Sequence, residues 1–428
     1  MHSRVGPALL VAAAVFLGAC SPGGAPDAGP GRSSGPGATS TSLVRPTTRP
    51  PTTLPASTTT TAAPTTLLAS TTTTTTTTAP QPTTTSVPRE PGTATLAFVG
   101  DVIGLIPNIE RARRNAGGNG YDFRPMFDRV RPLISAADYA ICHFEVPVRP
   151  QGQGWTPRYV TPSELVDAVA DAGFDRCSLA SNHALDRGVA GIDATAAAFD
   201  AIGLGRTGTA VSAQDAVPDI VEVNGIRIAH LSYTYATPGH PRPKDEPWRV
   251  NLISRKQIRA DAQTARAAGA EYIIVSLHFG KTMITPPDDL QRKTARWLWD
   301  NTEVDLIVGS HSHVVQPIDH RGDRYVLYGM GNHLATFPGG PITILKAQDG
   351  LLAFITIHRA ANGRIVTDRP SIVPTWVGKG DETYTVHDAR DFDDPSLSPA
   401  IRKRLRDSLR RTRAVVGDYL APRQPPSP

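Results

Sequence analysis

The chain has 428 residues, with 44 Lys and Arg against 39 Asp and Glu and a formal net charge of +5. That balance is too mild to argue for a nucleic-acid partner, and no run of about 20 apolar residues exists to build a multi-pass membrane protein. Three cysteines, one of them in the leader, exclude a disulfide scaffold.

Met1–Cys20 has a cationic start at Arg4, an apolar stretch from Ala8 to Leu17, and the ending Leu17-Gly18-Ala19-Cys20. This pattern reads as a secretory signal, and small residues before a cysteine resemble the bacterial lipobox. It predicts lipidation at Cys20 and an extracytoplasmic protein anchored to the cell membrane as a lipoprotein. Residues 21–92 are rich in Pro, Thr, Ala, Ser and Gly, with eight consecutive threonines at Thr71–Thr78. Without apolar periodicity such a segment cannot bury a core, and it reads as a disordered tether. In polyproline II form it would reach on the order of 200 Å.

From residue 93 the pattern becomes that of an α/β domain, expected over 93–385, followed by a basic C-terminal helix and tail over 386–428. Apolar runs at Thr93–Gly100, Asp138–Phe144, Phe174–Ala180, Arg227–Tyr233, Tyr272–Leu277, Leu306–Val308 and Arg324–Tyr328 read as strands. Helical patterns over Ser163–Ala172, Gly191–Ile202, Ser254–Ala268 and Asp288–Asn301 lie between them, which argues for helices layered on sheet. About 300 such residues suffice to bury a substantial core.

Strand after strand stops at a polar residue able to bind a metal: Asp101, Glu145, Asn182 with His183, His278, and His311 with His313. In open α/β folds ligands collect at the carboxyl ends of strands. Carboxylate, amide and imidazole groups together suit Mn, Fe or Zn rather than a thiolate site. Two such ions about 3.5–4 Å apart, bridged by a carboxylate, can clamp a phosphoryl group and activate a water for in-line attack. The i, i+2 spacing of His311 and His313 lets both imidazoles enter one cavity.

These motifs resemble the CapA family of poly-γ-glutamate capsule-biosynthesis proteins, a branch of the calcineurin-like metallophosphoesterases. The resemblance rests on FVGD at Phe98–Asp101, HFEVPV at His143–Val148, SLASNHALDRG at Ser178–Gly188, LHFG at Leu277–Gly280, GSHSHVVQP at Gly309–Pro317 and YGMGN at Tyr328–Asn332. It implies a four-layer α/β/β/α sandwich with two divalent metal ions at one edge. Asp101, Glu145 and His313 would hold one ion; Glu145, Asn182, His278 and His311 would hold the other. His183 would be the general acid or phosphate-contacting residue, oriented by Asp186 three positions on.

The chain departs from the family pattern at several places. Ile103 stands where calcineurin-like enzymes carry a further metal-binding histidine, and Thr282-Met283 replaces an E-Y pair. His143 stands for Asn and His333 for Phe. Both histidines read as packed side chains, the commoner case for a buried imidazole, with an accessory ligand role as the alternative; Asn332 is a third accessory candidate. Cys142 and Cys177, in apparent core strands, read as small hydrophobes, with a disulfide as the alternative that an oxidising exterior would allow.

Pro399–Leu420 reads as a helix with Ile401, Leu405, Leu409, Val416 and Leu420 near one face and seven Lys and Arg between Arg402 and Arg413. The expected function is an exported, membrane-anchored metal-dependent hydrolase of a phosphoester or envelope-polymer bond in capsule synthesis. The alternative is a non-catalytic polymer-binding or export subunit. The expected partners are an anionic polymer such as poly-γ-glutamate, the membrane and capsule-synthesis subunits. The chain lacks the ATP-grasp and P-loop motifs expected of a glutamate ligase.

Overall fold

Alternation along single strands sets the layering in the computed structural model, which describes residues 92–153, 159–337, 345–379 and 383–422. The leader, Cys20 and the Thr/Pro-rich segment lie outside the described residues. In β1 (Thr93–Val102) Ala97 and Val99 face one core while Leu96 and Phe98 face another. In β7 (Tyr272–His278) Tyr272 and Ile274 join that second core, and Ile273, Val275 and Leu277 a third. A period of two with both faces apolar marks strands covered on both sides. The second core is therefore the space between two sheets, and the first and third lie beneath helices. The result is the expected α/β/β/α order of layers.

The larger sheet contains β1, β2 (Tyr139–Phe144), β3 (Arg176–Ser178) and β4 (Gly205–Thr207), paired in parallel in that order. On the other side of β1 lie β12 (Asp349–Arg359), β14 (Ser371–Val377) and β15 (Val386–Asp388), each antiparallel to its neighbour. Two short strands, β11 (Asn332–Leu334) and β13 (Ile365–Thr367), attach to β1 and β12. The second sheet runs β5 (Ile220–Val223), β6 (Ile226–Thr234), β7, β8 (Leu306–Ser310), β10 (Arg324–Leu327) and β9 (Ile318–Arg321), with β6, β7, β8 and β10 parallel.

Helices α1 (Ile106–Asn115) and α3 (Glu164–Asp171) bury Ile109, Ala112, Leu165 and Val169 in the first core, with the short α2 (Arg131–Ile134) beside them. Helix α4 (Gly188–Asp200) adds Phe199 to it. Helices α5 (Arg255–Ala267) and α6 (Asp289–Asn301) cover the second sheet with Ile258, Ala262, Leu298 and Trp299. Asp288 and Gln291 close a reciprocal capping box at the start of α6.

One expectation needs correction. Cys142 and Cys177 are not free small hydrophobes: they are register partners on β2 and β3, with Cα atoms 4.5 Å apart, and form a disulfide. The C-terminal basic helix, α7 (Pro399–Val416), packs on the domain through its apolar face. It buries Leu405 against Trp376 and Val416 in the core between the sheets, and Arg411 turns inward to the buried Asp349 carboxylate at 2.6 and 2.7 Å. No helix among the described residues is long and apolar enough to cross a membrane.

Candidate metal centre

The larger sheet supplies oxygen. Asp101 is buried near the end of β1, where Gly100 lets the chain approach β11: a Cβ there would meet the Gly331 carbonyl at 1.9 Å. The β1–β2 register shifts just before Asp101, which then pairs with His143 on one side and Asn332 on the other. Such irregularities re-aim side chains beside active sites. Glu145 follows β2, its carbonyl accepting from Ser181 Oγ at 2.5 Å. Asn182 and His183 follow β3.

The second sheet supplies imidazoles. His278 ends β7, while His311 and His313 follow β8 in the left-handed region, at φ 84° and 54°. Two non-glycine residues there cost on the order of 1–3 kcal/mol each, a strain that concentrates at functional sites.

These groups meet. His313 Nδ1 lies 2.9 Å from Asp101 Oδ2, and its Nε2 lies 3.6 Å from Glu145 Oε1. Asn182 Oδ1 is 2.9 Å from His278 Nε2. His183 Nδ1 is 2.8 Å from Asp186 Oδ2, and its Nε2 points toward Glu145 Oε1 at 4.0 Å. Potential ligand atoms of Asp101, His143, Glu145 and His278 lie within 4.8 Å of one another, as do those of Glu145, His311 and His313. Both Glu145 oxygens and His311 Nδ1 are buried without a hydrogen-bond partner. Buried groups of that kind are costly unless something pairs with them, and the donor set fits divalent cations.

Protonation follows from burial. Burial pushes Glu145 up to about 8, against the pull of His313. Burial disfavours charge on His313 as well, but the Glu145 and Asp101 carboxylates outweigh it and raise that imidazole to about 9. Burial holds His143 down to about 4 and His311 to about 3, and with the neighbouring imidazoles it keeps His278 well below the usual histidine value. Burial works to raise Asp101, yet the His313 contact leaves it below the ordinary carboxylate value. Protons thus sit where a cation would otherwise compensate the carboxylates.

Of the accessory candidates, His143 and Asn332 enter the cluster. Asn332 Oδ1 is 3.1 Å from His313 Nδ1, and its Nδ2 donates to the Ala347 carbonyl at 2.7 Å. His333 does not: the next residue on β11 faces the other way, between Phe127 and Phe174, with ring centroids 5.9 Å from each. Burial pushes it down to about 3. Ile103 is buried with Val146 and Ala335.

Three aromatic residues at the rim carry no motif and escape sequence reading. Tyr159 stacks on His183 at 3.7 Å, Tyr235 lies 4.7 Å from the His311 ring, and Phe337 lies 4.8 Å from His313. Tyr235 follows the end of β6, so the strand-end rule that located the ligands would have found it.

A family model described as bacterial capsule synthesis protein PGA_cap matches residues 95–336. The chain belongs to this capsule synthesis family. Its relatives include the capsule biosynthesis protein CapA of Bacillus anthracis, 29% identical over 304 residues that cover 68% of this chain and 69% of that protein. The PGA biosynthesis protein CapA of Bacillus subtilis is 30% identical over 252 residues, 55% of this chain and 62% of the relative. Among solved structures, the 5'-nucleotidase precursor of Thermus thermophilus aligns with a TM-score of 0.41 at 15% identity, covering 75% of this chain and 58% of that one. The calcineurin-like phosphoesterase YfkN of Bacillus subtilis aligns at 0.37 and 11%, covering 75% and 99%. The capsule synthesis match spans every residue of the cluster, from Asp101 to Asn332.

Proposed function

We propose that this chain is an exported, membrane-anchored hydrolase whose binuclear metal centre cleaves a phosphoester or envelope-polymer bond during synthesis of capsule or poly-γ-glutamate. The observation that carries the reading is the Glu145 carboxylate, buried and unpartnered between His313 on one side and His183 on the other. Asp101, Glu145 and His313 would hold one ion, and Glu145, Asn182, His278 and His311 the second, with Glu145 bridging. Two divalent ions supply Lewis acidity toward the scissile group and toward the attacking water. His183 would carry a proton at Nε2 toward the leaving oxygen, while Asp186, 2.8 Å from Nδ1, orients the ring. Tyr159 and Tyr235 wall the opening and restrict what enters.

Mn, Fe and Zn all suit the donor set. Anchoring through a lipidated Cys20 rests on the Leu17–Cys20 pattern. Metal content of the purified protein, measured with hydrolysis of bis-p-nitrophenyl phosphate, tests the reading. About two equivalents of metal, with turnover lost in Glu145→Ala and His311→Ala, are expected. Absence of metal and turnover after supplying Mn or Zn would overturn it.

One observation favours a second reading, a non-catalytic subunit that binds an anionic polymer. Lys403, Arg404, Arg406, Arg410 and Arg413 are exposed on α7, whose single acidic residue is Asp407. Replacing four of the arginines by glutamine would then weaken retention of poly-γ-glutamate, and unchanged retention would sink that reading.

A further inference from the structure

Behind the cluster a chain of hydrogen bonds runs from the backbone of β2 to His278. Ser178 Oγ lies 3.3 Å from the Cys142 carbonyl and 2.8 Å from His143 Nδ1. His143 Nε2 lies 2.9 Å from His278 Nδ1. The two rings are stacked with centroids 4.8 Å apart. At the far end His278 Nε2 faces Asn182 Oδ1 at 2.9 Å.

Proton counting fixes how this chain works once a cation is bound. For His278 to offer Nε2 as a ligand beside Asn182 Oδ1, that nitrogen must be bare and the ring proton must sit on Nδ1. A proton there needs an acceptor, because it is buried. His143 Nε2 is that acceptor when His143 carries its own proton on Nδ1. Ser178 Oγ accepts a hydrogen bond from the latter and donates its own hydroxyl hydrogen bond to the Cys142 carbonyl. Each donor along the chain then finds an acceptor, and the sequence ends on the backbone oxygen of Cys142.

We infer that His143 is a positioning residue that fixes the tautomer and ring orientation of His278, so that His278 presents Nε2 to the metal shared with Asn182. The inference rests on the proposed binuclear centre and assigns His143 a place outside the ligand set. His143 Nε2 stands 4.0 Å from Asp101 Oδ1, within the span of a ligand cluster. A direct ligand role is therefore the competing outcome. Ser310 Oγ, 3.1 Å from His278 Nδ1, is a second acceptor for the same proton.

The test uses the full chain loaded with Mn(II). Electron paramagnetic resonance titration gives the affinity for each equivalent, and pulsed spectra count the coupled imidazole nitrogens. His143→Leu combined with Ser310→Ala should weaken one equivalent by about 10- to 100-fold, the usual range for outer residues that orient a ligand. The number of coupled nitrogens should stay at its wild-type value. His143→Gln, with an amide oxygen near the place of Nε2, should recover most of the loss. Loss of one nitrogen coupling on replacing His143 would make it a ligand and overturn the inference. Unchanged affinity in the double variant would also overturn it while leaving the binuclear centre standing. A wild-type chain that binds no metal would sink both. Nitrogen-15 spectra of the zinc-loaded wild type give a reading that needs no variant to fold: His143 protonated on Nδ1 is expected, and protonation on Nε2 overturns the inference.

Discussion

The two sheets bring unlike chemistry to one edge. The larger sheet contributes Asp101, Glu145, Asn182 and Asn332, all oxygen donors, two of them carboxylates with burial working against their charge. The smaller sheet contributes His278, His311 and His313, of which burial keeps the first two neutral. Neither edge is a metal site alone, since hard oxygen and borderline nitrogen ligands select transition ions together. The difference teaches that the cation would act as a staple between the layers, at an edge where His313 already meets Asp101 and His278 meets Asn182 and His143. Two imidazoles stand on the oxygen side, His183 and His143, and His143 is turned toward His278 on the nitrogen side.

The most severe way to break the contrast is Glu145→Ala, which removes the proposed bridge. Both equivalents of metal should be lost, and turnover should fall by about a thousandfold, the size of losing several kcal/mol of Lewis-acid stabilisation. Mass spectrometry of bound metal beside a phosphodiester assay checks this, and retention of two equivalents would refute the bridging role. His311→Ala touches the nitrogen edge only. It should lose one equivalent and keep the other, and simultaneous loss of both would refute the assignment of His311 to one ion alone.

Acidity offers a gentler probe. Glu145 is raised to about 8 and His313 to about 9, so both hold protons at pH 7 in the metal-free protein. A cation must displace them. Affinity should therefore rise with pH between about 6 and 9, by up to about tenfold per unit for each proton released. Calorimetry in buffers of different ionisation enthalpy counts those protons; a flat profile would contradict the assignment. The smallest effect at the site should come from Cys142→Ser with Cys177→Ser. Opening a loop of 35 residues should cost about 2–4 kcal/mol of stability. The change reads out in denaturant unfolding, while metal stoichiometry stays at the wild-type value.

Much of this was legible because local pattern and chemistry coincide at strand ends. The run ending at Asp101 and the GSHSHVVQP motif both place ligands where the fold closes. The opposite orientations of Asn332 and His333 follow from the two-residue period of a strand, but only once β11 is known to be a strand, and three residues give too short a pattern to show it. The long β12 was not anticipated, and neither were β14 and β15. The pairing of β12 with β1 joins positions far apart in sequence, Val99 with Leu352 for one, and no local signal encodes such a partner. The disulfide was hidden for the same reason: Cys142 and Cys177 are neighbours only after β2 and β3 align. Nothing local singles out Arg411 among the seven basic residues of its segment, because its acidic partner Asp349 lies 62 positions away.

The pairing of β12 with β1 bears on how the molecule can be shortened. Seven consecutive residue pairs join the two strands, from Thr93 with His358 to Val99 with Leu352. The family match stops at residue 336, before β12 begins. A fragment cut at that limit would keep every proposed ligand and leave β1 as a raw sheet margin of unpaired amides flanked by Leu96 and Phe98. Such margins recruit other chains. The family match and the folded unit thus have different ends, and a fragment meant to keep β1 paired has to extend past β12 toward the helix that begins at Pro399.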